Sequence, residues 1–329
     1  MQFGVVLPTF TWPGLDYAKT RVLVKEFAQR AERLGFDSLS VWDHLLAAPG
    51  LYGGSWLEPL TTLAYAAACT ERVKVGTNIL VAPIRHPVLL AKEVATLDYM
   101  SGGRFFLGIG PGWNPPEFGA MSINMKQRGG RTDEILDAVK QLLTRKHVSF
   151  AGKYFRFEDV TIDPLPPQMP EVWVAGGSRI PDPLSPDKPY MVRTVLDRIA
   201  RHADVFTVRA SGNREFVRRD IQTVQNHLRH TGRDPSTLRY SHVQALYAVE
   251  TTNHEEALRL QRPHFERLMG RHRSFEHLQE CYLLGTIDEV VTRLQELEQA
   301  GLQHVAIHPA APEIEQLDLW AARIVPRLR

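Results

Sequence analysis

Residues 102–114 read Gly-Gly-Arg-Phe-Phe-Leu-Gly-Ile-Gly-Pro-Gly-Trp-Asn, and this stretch decides the fold. Its centre, residues 105–109, is a short apolar run bounded by glycines, which is typical of a β-strand buried on both faces. Gly108, Gly110 and Gly112 then alternate along the end of the strand. Because an edge without side chains lets a flat ligand approach the backbone, the stretch predicts one wall of a pocket. Glycines that only form a tight turn are the alternative.

Strands and helices alternate along the rest of the chain. Further apolar runs predict strands at residues 3–8, 38–42, 73–81, 172–175, 204–208, 243–249 and 304–308. Helical segments with short connections separate them, which indicates parallel strands and right-handed crossovers. Eight strands and eight helical segments favour an α/β fold, a (β/α)8 TIM barrel. An open doubly wound sheet is the alternative, but Pro8-Thr9-Phe10 follows the first strand where that fold carries a glycine-rich turn.

Three insertions interrupt the barrel pattern. Residues 148–160, after the fourth helix, predict a β-hairpin. A proline-rich loop at residues 180–190, after strand five, is interpreted as an ordered surface loop and a candidate lid. A long helical excursion at residues 254–284 follows strand seven. Since none of these has the composition of a flexible linker, residues 1–329 are predicted to form a single domain.

Capping residues mark the start of two helices. Thr132 precedes an apolar helical face and is predicted as its N-cap. Thr286 and Glu289 have the spacing of a capping box, which predicts a helix that ends at Gly301.

Composition limits the class of partner and the compartment. The net charge of +2 is spread over 329 residues without a basic block, so nucleic acid and membrane surfaces are not expected partners. Cys69 and Cys281 lie far apart and fit neither a disulfide framework nor a zinc ribbon, which favours a reducing cytoplasm. The first residues lack a signal core, and no run approaches about 18 apolar residues. We therefore expect a cytoplasmic protein without a spanning helix.

The carboxyl ends of barrel strands meet at one face, and active sites are built there. The residues predicted at this face are Thr9, Phe10, Asp43, His44, 78–81, 110–114, 176–179, 207–209, Gln244 and His308. This set is rich in glycine and aromatic residues and poor in carboxylates, which disfavours a hydrolase with two catalytic acids. The chain also has no Gly-x-Ser-x-Gly motif and no cysteine beside a histidine at a strand end, so nucleophilic acyl transfer is not expected.

Asp43-His44 is the most informative pair of residues at these strand ends. A histidine there can accept or donate a proton near neutral pH, and a carboxylate, either Asp43 or another, can fix its tautomer. Adjacent strand residues point to opposite faces, so direct contact between the two is not assumed. A capping aspartate and a hydrogen-bonded core histidine form the alternative. The thirteen histidines do not cluster with carboxylates at ligand spacing, so no metal site is predicted.

The best candidate for anion binding is Gly176-Gly177-Ser178-Arg179, after strand five. Backbone N–H groups, a hydroxyl and a guanidinium can together hold a phosphate, and Arg209 at the end of strand six is positioned to complete the site. A plain turn is the alternative.

Together these motifs resemble the bacterial luciferase-like superfamily of flavin- or deazaflavin-dependent oxidoreductases, over nearly the whole chain. The motifs that carry the resemblance are residues 35–38, 42–44, 85–87, 102–113, Glu117-Phe118, 128–134, 176–178 and 285–290. The resemblance implies a (β/α) barrel with the tricyclic ring of the cofactor at the mouth and its phosphate near strands five and six.

The resemblance also implies roles for particular residues. His44 matches the proton donor or acceptor of many deazaflavin-dependent members, with Asp43 beside it. A non-proline cis peptide behind the ring is expected at Ile79-Leu80. Ring or substrate contacts are expected from Gly110, Gly112, Phe10, Trp113 and Asn114, the last three toward the substrate.

The expected cofactor is either the deazaflavin coenzyme F420 or FMN. Residues 42–44 and the pattern from Gly112 to Arg128 favour the deazaflavin, and hence hydride transfer to or from a small organic substrate. An FMN-dependent monooxygenase that uses dioxygen and a separate flavin reductase is the alternative. A non-catalytic flavin-binding barrel is a second alternative. A homodimer is the family expectation.

Overall fold

The computed structural model describes residues 1–48, 52, 54–180, 190–210 and 212–329. The strands are β1 (Gln2–Val6), β2 (Ser38–Val41), β3 (Lys74–Thr77), β4 (Leu80–Val81), β5 (Phe105–Gly110), β6 (Val148–Ala151), β7 (Arg156–Val160), β8 (Glu171–Gly176), β9 (Val205–Val208), β10 (Arg239–Leu246) and β11 (His304–Pro309). The helices are α1 (Tyr17–Arg33), α2 (Pro59–Ala68), α3 (Pro87–Ser101), α4 (Pro115–Ala120), α5 (Arg128–Thr144), α6 (Arg193–His202), α7 (Arg214–His230), α8 (His254–Met269), α9 (Phe275–Cys281), α10 (Ile287–Gln299) and α11 (Glu315–Arg323).

Parallel strands close into a barrel. The order is β3-β2-β1-β11-β10-β9-β8-β5-β4, and pairing between β3 and β5 completes the circle. At the amino-terminal end of the barrel Phe106 stacks on Trp173 with ring centroids 4.3 Å apart, and Val205 packs against them. This apolar plug leaves the carboxyl ends of the strands as the face that can receive a ligand. The predicted (β/α)8 barrel is confirmed.

The third barrel strand is interrupted after Thr77. The Thr77 hydroxyl donates to the Gly108 carbonyl at 2.6 Å and accepts from the Gly108 N–H at 3.0 Å, so it substitutes for ladder bonds. The non-proline cis peptide lies at Asn78-Ile79, one bond before the predicted Ile79-Leu80 position. The predicted position is therefore wrong by one residue. The Asn78 N–H still bonds the Val41 carbonyl at 2.9 Å, and pairing resumes at Leu80.

Gly108 and Gly110 of β5, and Gly112 just beyond it, are required by packing within the protein. A Cβ on Gly108 would lie 1.8 Å from the Thr77 carbonyl oxygen. A Cβ on Gly110 would lie 2.9 Å from Ile79 Cδ1, and one on Gly112 would lie 2.5 Å from Val81 Cγ1. The expectation that these positions leave an open edge is therefore wrong, because neighbouring side chains and backbone fill it. Contacts of Gly110 and Gly112 with a cofactor stay predictions.

The helices cover the barrel with apolar stripes, as the periodicity predicts. The capping box at Thr286 is present, and α10 ends at Gln299, two residues before the predicted stop. The N-cap prediction for Thr132 is wrong. Its hydroxyl donates to the Arg128 carbonyl at 2.7 Å, one turn back, because α5 already begins at Arg128.

Two of the three insertions lie in the described residues. Strands β6 and β7 form the predicted hairpin, in which Phe150 stacks on Phe157. The excursion after β10 contains α8 and α9, and it packs on Phe10, Trp12 and Trp56 from loops at the barrel mouth. Residues 181–189 of the proline-rich loop lie outside the described residues. Across the described chain, the structure contains no helix long and apolar enough to cross a membrane. The single-domain assignment stays a prediction.

Candidate active site

A histidine and a glutamate form a buried pair at the barrel mouth. His44 Nδ1 lies 3.2 Å from Glu117 Oε1, and their side chains are 9% and 1% exposed. An ionised carboxylate can only accept, so in a neutral imidazole Nδ1 carries the hydrogen and Nε2 keeps its lone pair. Glu117 Oε1 also lies 3.5 Å from the Leu46 N–H. The carboxylate thus fixes the tautomer and orientation of a histidine that can accept a proton at Nε2.

Glu117 belongs to the motifs that carry the family resemblance, but the sequence alone predicts no role for it. It lies on α4, a helix of six residues that starts with Pro115 and Pro116 directly after β5. So short a helix shows no periodicity, and 73 positions separate the two partners. The available signal was the requirement for some carboxylate beside His44, combined with the placement of Glu117 just beyond a strand end.

Asp43 points away from this pair. Its Oδ2 accepts from the Val81 N–H at 2.8 Å and from Arg85 Nη2 at 3.3 Å. Burial raises the pKa of Asp43, and the charge of Arg85 and the Val81 N–H oppose that rise. Asp43 therefore holds β4 and the segment behind the mouth in place. Its predicted catalytic role is better described as positioning, and no direct bond to His44 occurs.

Aromatic rings surround His44. The ring centroids of Trp56, Tyr52 and Trp113 lie 4.8, 5.1 and 6.0 Å from that of His44. Phe10, predicted to contact substrate, is fully buried and packs edge-on against Trp56 at 5.1 Å. It therefore supports, from behind, the aromatic wall that Trp56, Tyr52 and Trp113 form beside His44. Trp113 is half-buried and belongs to the wall itself, and its contact with a substrate stays a prediction.

Several buried polar atoms near the mouth make no hydrogen bond with the described residues. They are Thr9 Oγ1, Ser40 Oγ, Asn78 Nδ2, Asn114 Nδ2 and His308 Nε2. Burying an amide N–H without a partner is costly, so such groups indicate a ligand or water position. Amide donors suit the carbonyl oxygens of a flavin-type ring. The residues at the mouth therefore fit such a cofactor.

His308 is neutral and has a defined tautomer. Its Nδ1 donates to the Pro309 carbonyl at 2.8 Å, and burial lowers its pKa to about 4. Its ring lies 4.3 Å from that of Trp42. By contrast, Gln244 faces away from the mouth, where its Nε2 donates to the Cys281 carbonyl at the end of α9. Of the residues predicted at the carboxyl ends of the strands, only some therefore face the mouth of the barrel.

The predicted phosphate loop is already occupied by a carboxylate. Asp220 on α7 accepts from the Ser178 hydroxyl at 2.6 Å and from the Ser178 N–H at 2.5 Å. The φ of +124° at Gly177 explains the glycine, since a Cβ there would also lie 3.1 Å from the Arg209 nitrogen. Both Ser178 donors are engaged, so a phosphate at this loop needs other groups. The cofactor roles of Gly176, Gly177, Ser178, Arg179 and Arg209 stay predictions.

We expect Ser178→Ala to reduce stability rather than phosphate recognition. Losing the hydroxyl leaves a buried Asp220 oxygen unpaired, which costs about 1–3 kcal/mol of unfolding free energy in urea titrations. The control Thr223→Ala, which removes a hydroxyl bonded only to its own helix at the Arg219 carbonyl, should change stability by less than about 0.5 kcal/mol. A tenfold loss in affinity for F420 relative to its phosphate-free deazariboflavin fragment, about 1.4 kcal/mol, would contradict this expectation.

The remaining predicted contacts are less direct. Leu80 is fully buried in the core between barrel and helices, so only its backbone can face a ring. Ile79 is half-buried and packs with Val81 and Phe118. Arg179 is 2% exposed, and Arg209 is half-buried at the end of β9. In the described residues no group of three or more histidine, cysteine, aspartate or glutamate side chains is arranged to hold a metal ion.

The closed parallel barrel, with buried polar groups and a histidine–glutamate pair at its mouth, defines a class of barrel enzymes. The family model of luciferase-like monooxygenases matches residues 1–304. The chain belongs to the luciferase-like monooxygenase family.

Relatives of the chain use two cofactors. An F420-dependent glucose-6-phosphate dehydrogenase from Intrasporangium calvum is 27% identical over 320 residues, 91% of this chain and 92% of the relative. An FMNH(2)-dependent dimethylsulfone monooxygenase from Pseudomonas putida is 35% identical over 161 residues, 47% of this chain and 43% of the relative. These relatives confirm the prediction of a luciferase-like oxidoreductase or monooxygenase with F420 or FMN as its cofactor.

Solved structures agree on the fold. An F420-dependent secondary alcohol dehydrogenase in complex with an F420-acetone adduct has a TM-score of 0.79 at 19% identity, covering 100% of this chain and 99% of that one. The monooxygenase RslO1 from Streptomyces bottropensis has a TM-score of 0.81 at 24% identity, with full coverage of both chains. At these identities the likeness establishes the barrel.

Proposed function

We propose that the chain is an F420-dependent oxidoreductase in which His44 transfers a proton to or from the substrate oxygen. The observation that carries the proposal is the buried contact of 3.2 Å between His44 Nδ1 and Glu117 Oε1 at the barrel mouth. The F420-dependent relative supports it, since that alignment covers nine-tenths of both chains, whereas the FMN-dependent alignment covers less than half.

The pair of residues performs acid–base work. When bound, the deazaflavin supplies the hydride acceptor or donor. In the oxidative direction His44 Nε2 accepts the proton of a substrate hydroxyl, and Glu117 stabilises the resulting imidazolium. In the reductive direction the same nitrogen returns the proton. Because both side chains are shielded from water, the charge pair is stronger than on the surface.

Residues around the pair are suited to hold the cofactor. The N–H donors of Asn78 and Asn114 would meet ring oxygens, and Thr207 donates to Asn78 Oδ1 at 3.2 Å and so orients its amide. Ile79 would form the surface behind the ring. Arg179 and Arg209 remain our candidates for the phosphate because Ser178 is engaged with Asp220.

An FMN-dependent monooxygenase served by a separate flavin reductase is the second candidate, favoured by the Pseudomonas putida relative.

We also propose a homodimer in the cytoplasm. Helix α3 supports the dimer, because Leu89, Tyr99 and Met100 expose 59%, 62% and 72% of their surface to solvent. Apolar side chains exposed together on one helix are typical of an interface.

Titration of the purified protein with each cofactor tests the proposal. We expect F420 to bind saturably and more tightly than oxidised or reduced FMN. Tighter binding of reduced FMN would favour the monooxygenase. If neither cofactor binds, the proposal is wrong. Binding of one cofactor with no turnover on any alcohol, ketone or sulfur substrate would favour the non-catalytic flavin-binding barrel.

A further inference from the structure

The surroundings of His44 carry information about the substrate. Three aromatic side chains face it, with Trp56 at a centroid distance of 4.8 Å and an interplanar angle of 38°. Tyr52 lies edge-on to Trp56 at 4.6 Å, and Trp113 lies edge-on to His44 at an angle of 83°. A substrate oxygen that reaches His44 therefore brings its neighbouring carbon atoms against aromatic rings.

The wall is built to stay in place. Trp56 is backed by Phe10 at 5.1 Å and by Trp42 at 5.9 Å, and Phe10 is backed by Trp12 at 4.9 Å. Phe10, Trp12 and Trp56 are 0%, 3% and 6% exposed, and side chains from α8 and α9 pack on them. A wall supported from behind in this way keeps its shape on binding, which favours apolar ligands that fill the space in front of it.

The charges next to His44 disfavour an anion. Glu117 contacts the ring directly and is 1% exposed, whereas the carboxylate of Asp43 points away and is paired with Arg85. Arg85, which offers a positive charge nearby, already donates to Asp43 and Glu58. A phosphate or carboxylate placed on the reacting side of His44 would meet negative charge at low dielectric, where like charges repel strongly.

We propose that the substrate of this site is a neutral secondary alcohol or ketone whose reacting carbon carries an apolar or aromatic group, rather than a sugar phosphate. This inference rests on the proposed function. In the oxidation, the hydroxyl proton passes to His44 Nε2 and the carbinol C–H leaves as hydride to the oxidised deazaflavin. A carbon–oxygen double bond forms, so the substrate loses two electrons and the deazaflavin gains them.

Binding to the protein without cofactor provides a test that does not depend on turnover. We expect acetophenone to bind in isothermal calorimetry with a negative heat-capacity change, the signature of apolar burial. Trp113→Ala and Trp56→Ala should each weaken this binding about tenfold, equivalent to 1.4 kcal/mol. The control Tyr17→Ala, at a side chain that is 91% exposed on α1, should leave it unchanged. If Trp56→Ala does not fold, Trp113→Ala alone decides.

Turnover with F420 gives the second arm. We expect kcat/KM for 1-phenylethanol to exceed that for glucose 6-phosphate by at least about 100-fold, the scale that one well-matched apolar contact supplies. A preference for glucose 6-phosphate, or no binding of acetophenone, overturns the inference. If F420 binds and apolar alcohols are not oxidised, the inference fails while the proposed function stands. If F420 does not bind, the proposed function fails and the inferred oxidation fails with it, whereas calorimetry with acetophenone still decides whether the site binds an apolar ketone.

Discussion

Replacing His44 by alanine lowers kcat/KM for alcohol oxidation by about 10²–10⁴-fold in our expectation, the range that one general base contributes. The reaction still needs to release a proton, and water at the apolar mouth is a poor substitute for a fixed imidazole. Stopped-flow measurement of F420 reduction, with an alcohol that the unaltered protein oxidises, gives the rate. The affinity for F420 should stay within about threefold, or 0.65 kcal/mol, because His44 is assigned to the substrate side.

Two variants, one at Glu117 and one at Asp43, separate an effect on catalysis from an effect on stability. Glu117→Gln keeps an acceptor for the His44 Nδ1–H but removes the charge that stabilises the imidazolium, so we expect a smaller loss than in His44→Ala. Asp43→Asn alters the contacts to Val81 and Arg85 and leaves the His44–Glu117 pair intact. The Asp43→Asn variant should have a lower melting temperature, and its kcat/KM should fall less than that of Glu117→Gln. Unchanged turnover in His44→Ala would remove this histidine from the mechanism.

The second large effect is on folding, and it is expected for Gly108→Ala. The added Cβ would lie 1.8 Å from the Thr77 carbonyl oxygen and 2.9 Å from its carbonyl carbon. Both are backbone atoms at the point where β3 and β5 close the barrel, and they cannot move away by a change of rotamer as a side chain can. We expect a loss of more than about 4 kcal/mol in the free energy of unfolding, seen in urea titrations or as loss of soluble protein.

Two further glycines provide a graded comparison. A Cβ on Gly110 would meet the flexible end of Ile79 at 2.9 Å, so Gly110→Ala should cost about 1–3 kcal/mol. Gly119 lies in α4 with nothing within 4 Å of its Cβ position, and alanine there should be neutral or stabilising by up to about 1 kcal/mol. A Gly108→Ala variant as stable as Gly119→Ala would show that the barrel closure yields to the methyl group.

The barrel could be predicted from sequence because its signals are local. Continuous apolar strands and one-faced helices repeat in a fixed order, and only one closed parallel arrangement accommodates eight of them. The break between Thr77 and Leu80 was not visible, since residues 73–81 are an uninterrupted strand-like run. Thr132 was mistaken for a cap because the polar first turn of α5, from Arg128, resembles a loop.

The sequence predicts individual residues of the site but not the contacts between them. His44 was identified from its position at a strand end, but Glu117 and Asp220 act across 73 and 42 positions of sequence. Side chains so far apart meet only because the barrel brings loop ends together, and nothing in local spacing reports it. Asp43 is predicted to be catalytic because its neighbour in sequence is His44. In the structure its partners are Val81 and Arg85, which lie far from it in sequence.

The aromatic wall also makes the protein its own optical probe. Four of the six tryptophans, at positions 12, 42, 56 and 113, lie in the aromatic group around His44, and the other two lie in the barrel plug and on the buried face of α11. Their emission reports mainly on this one region of the molecule. A chromophore that stacks near them will quench that emission by energy transfer. Unlabelled compounds can then be screened by fluorescence alone, before any reaction is known.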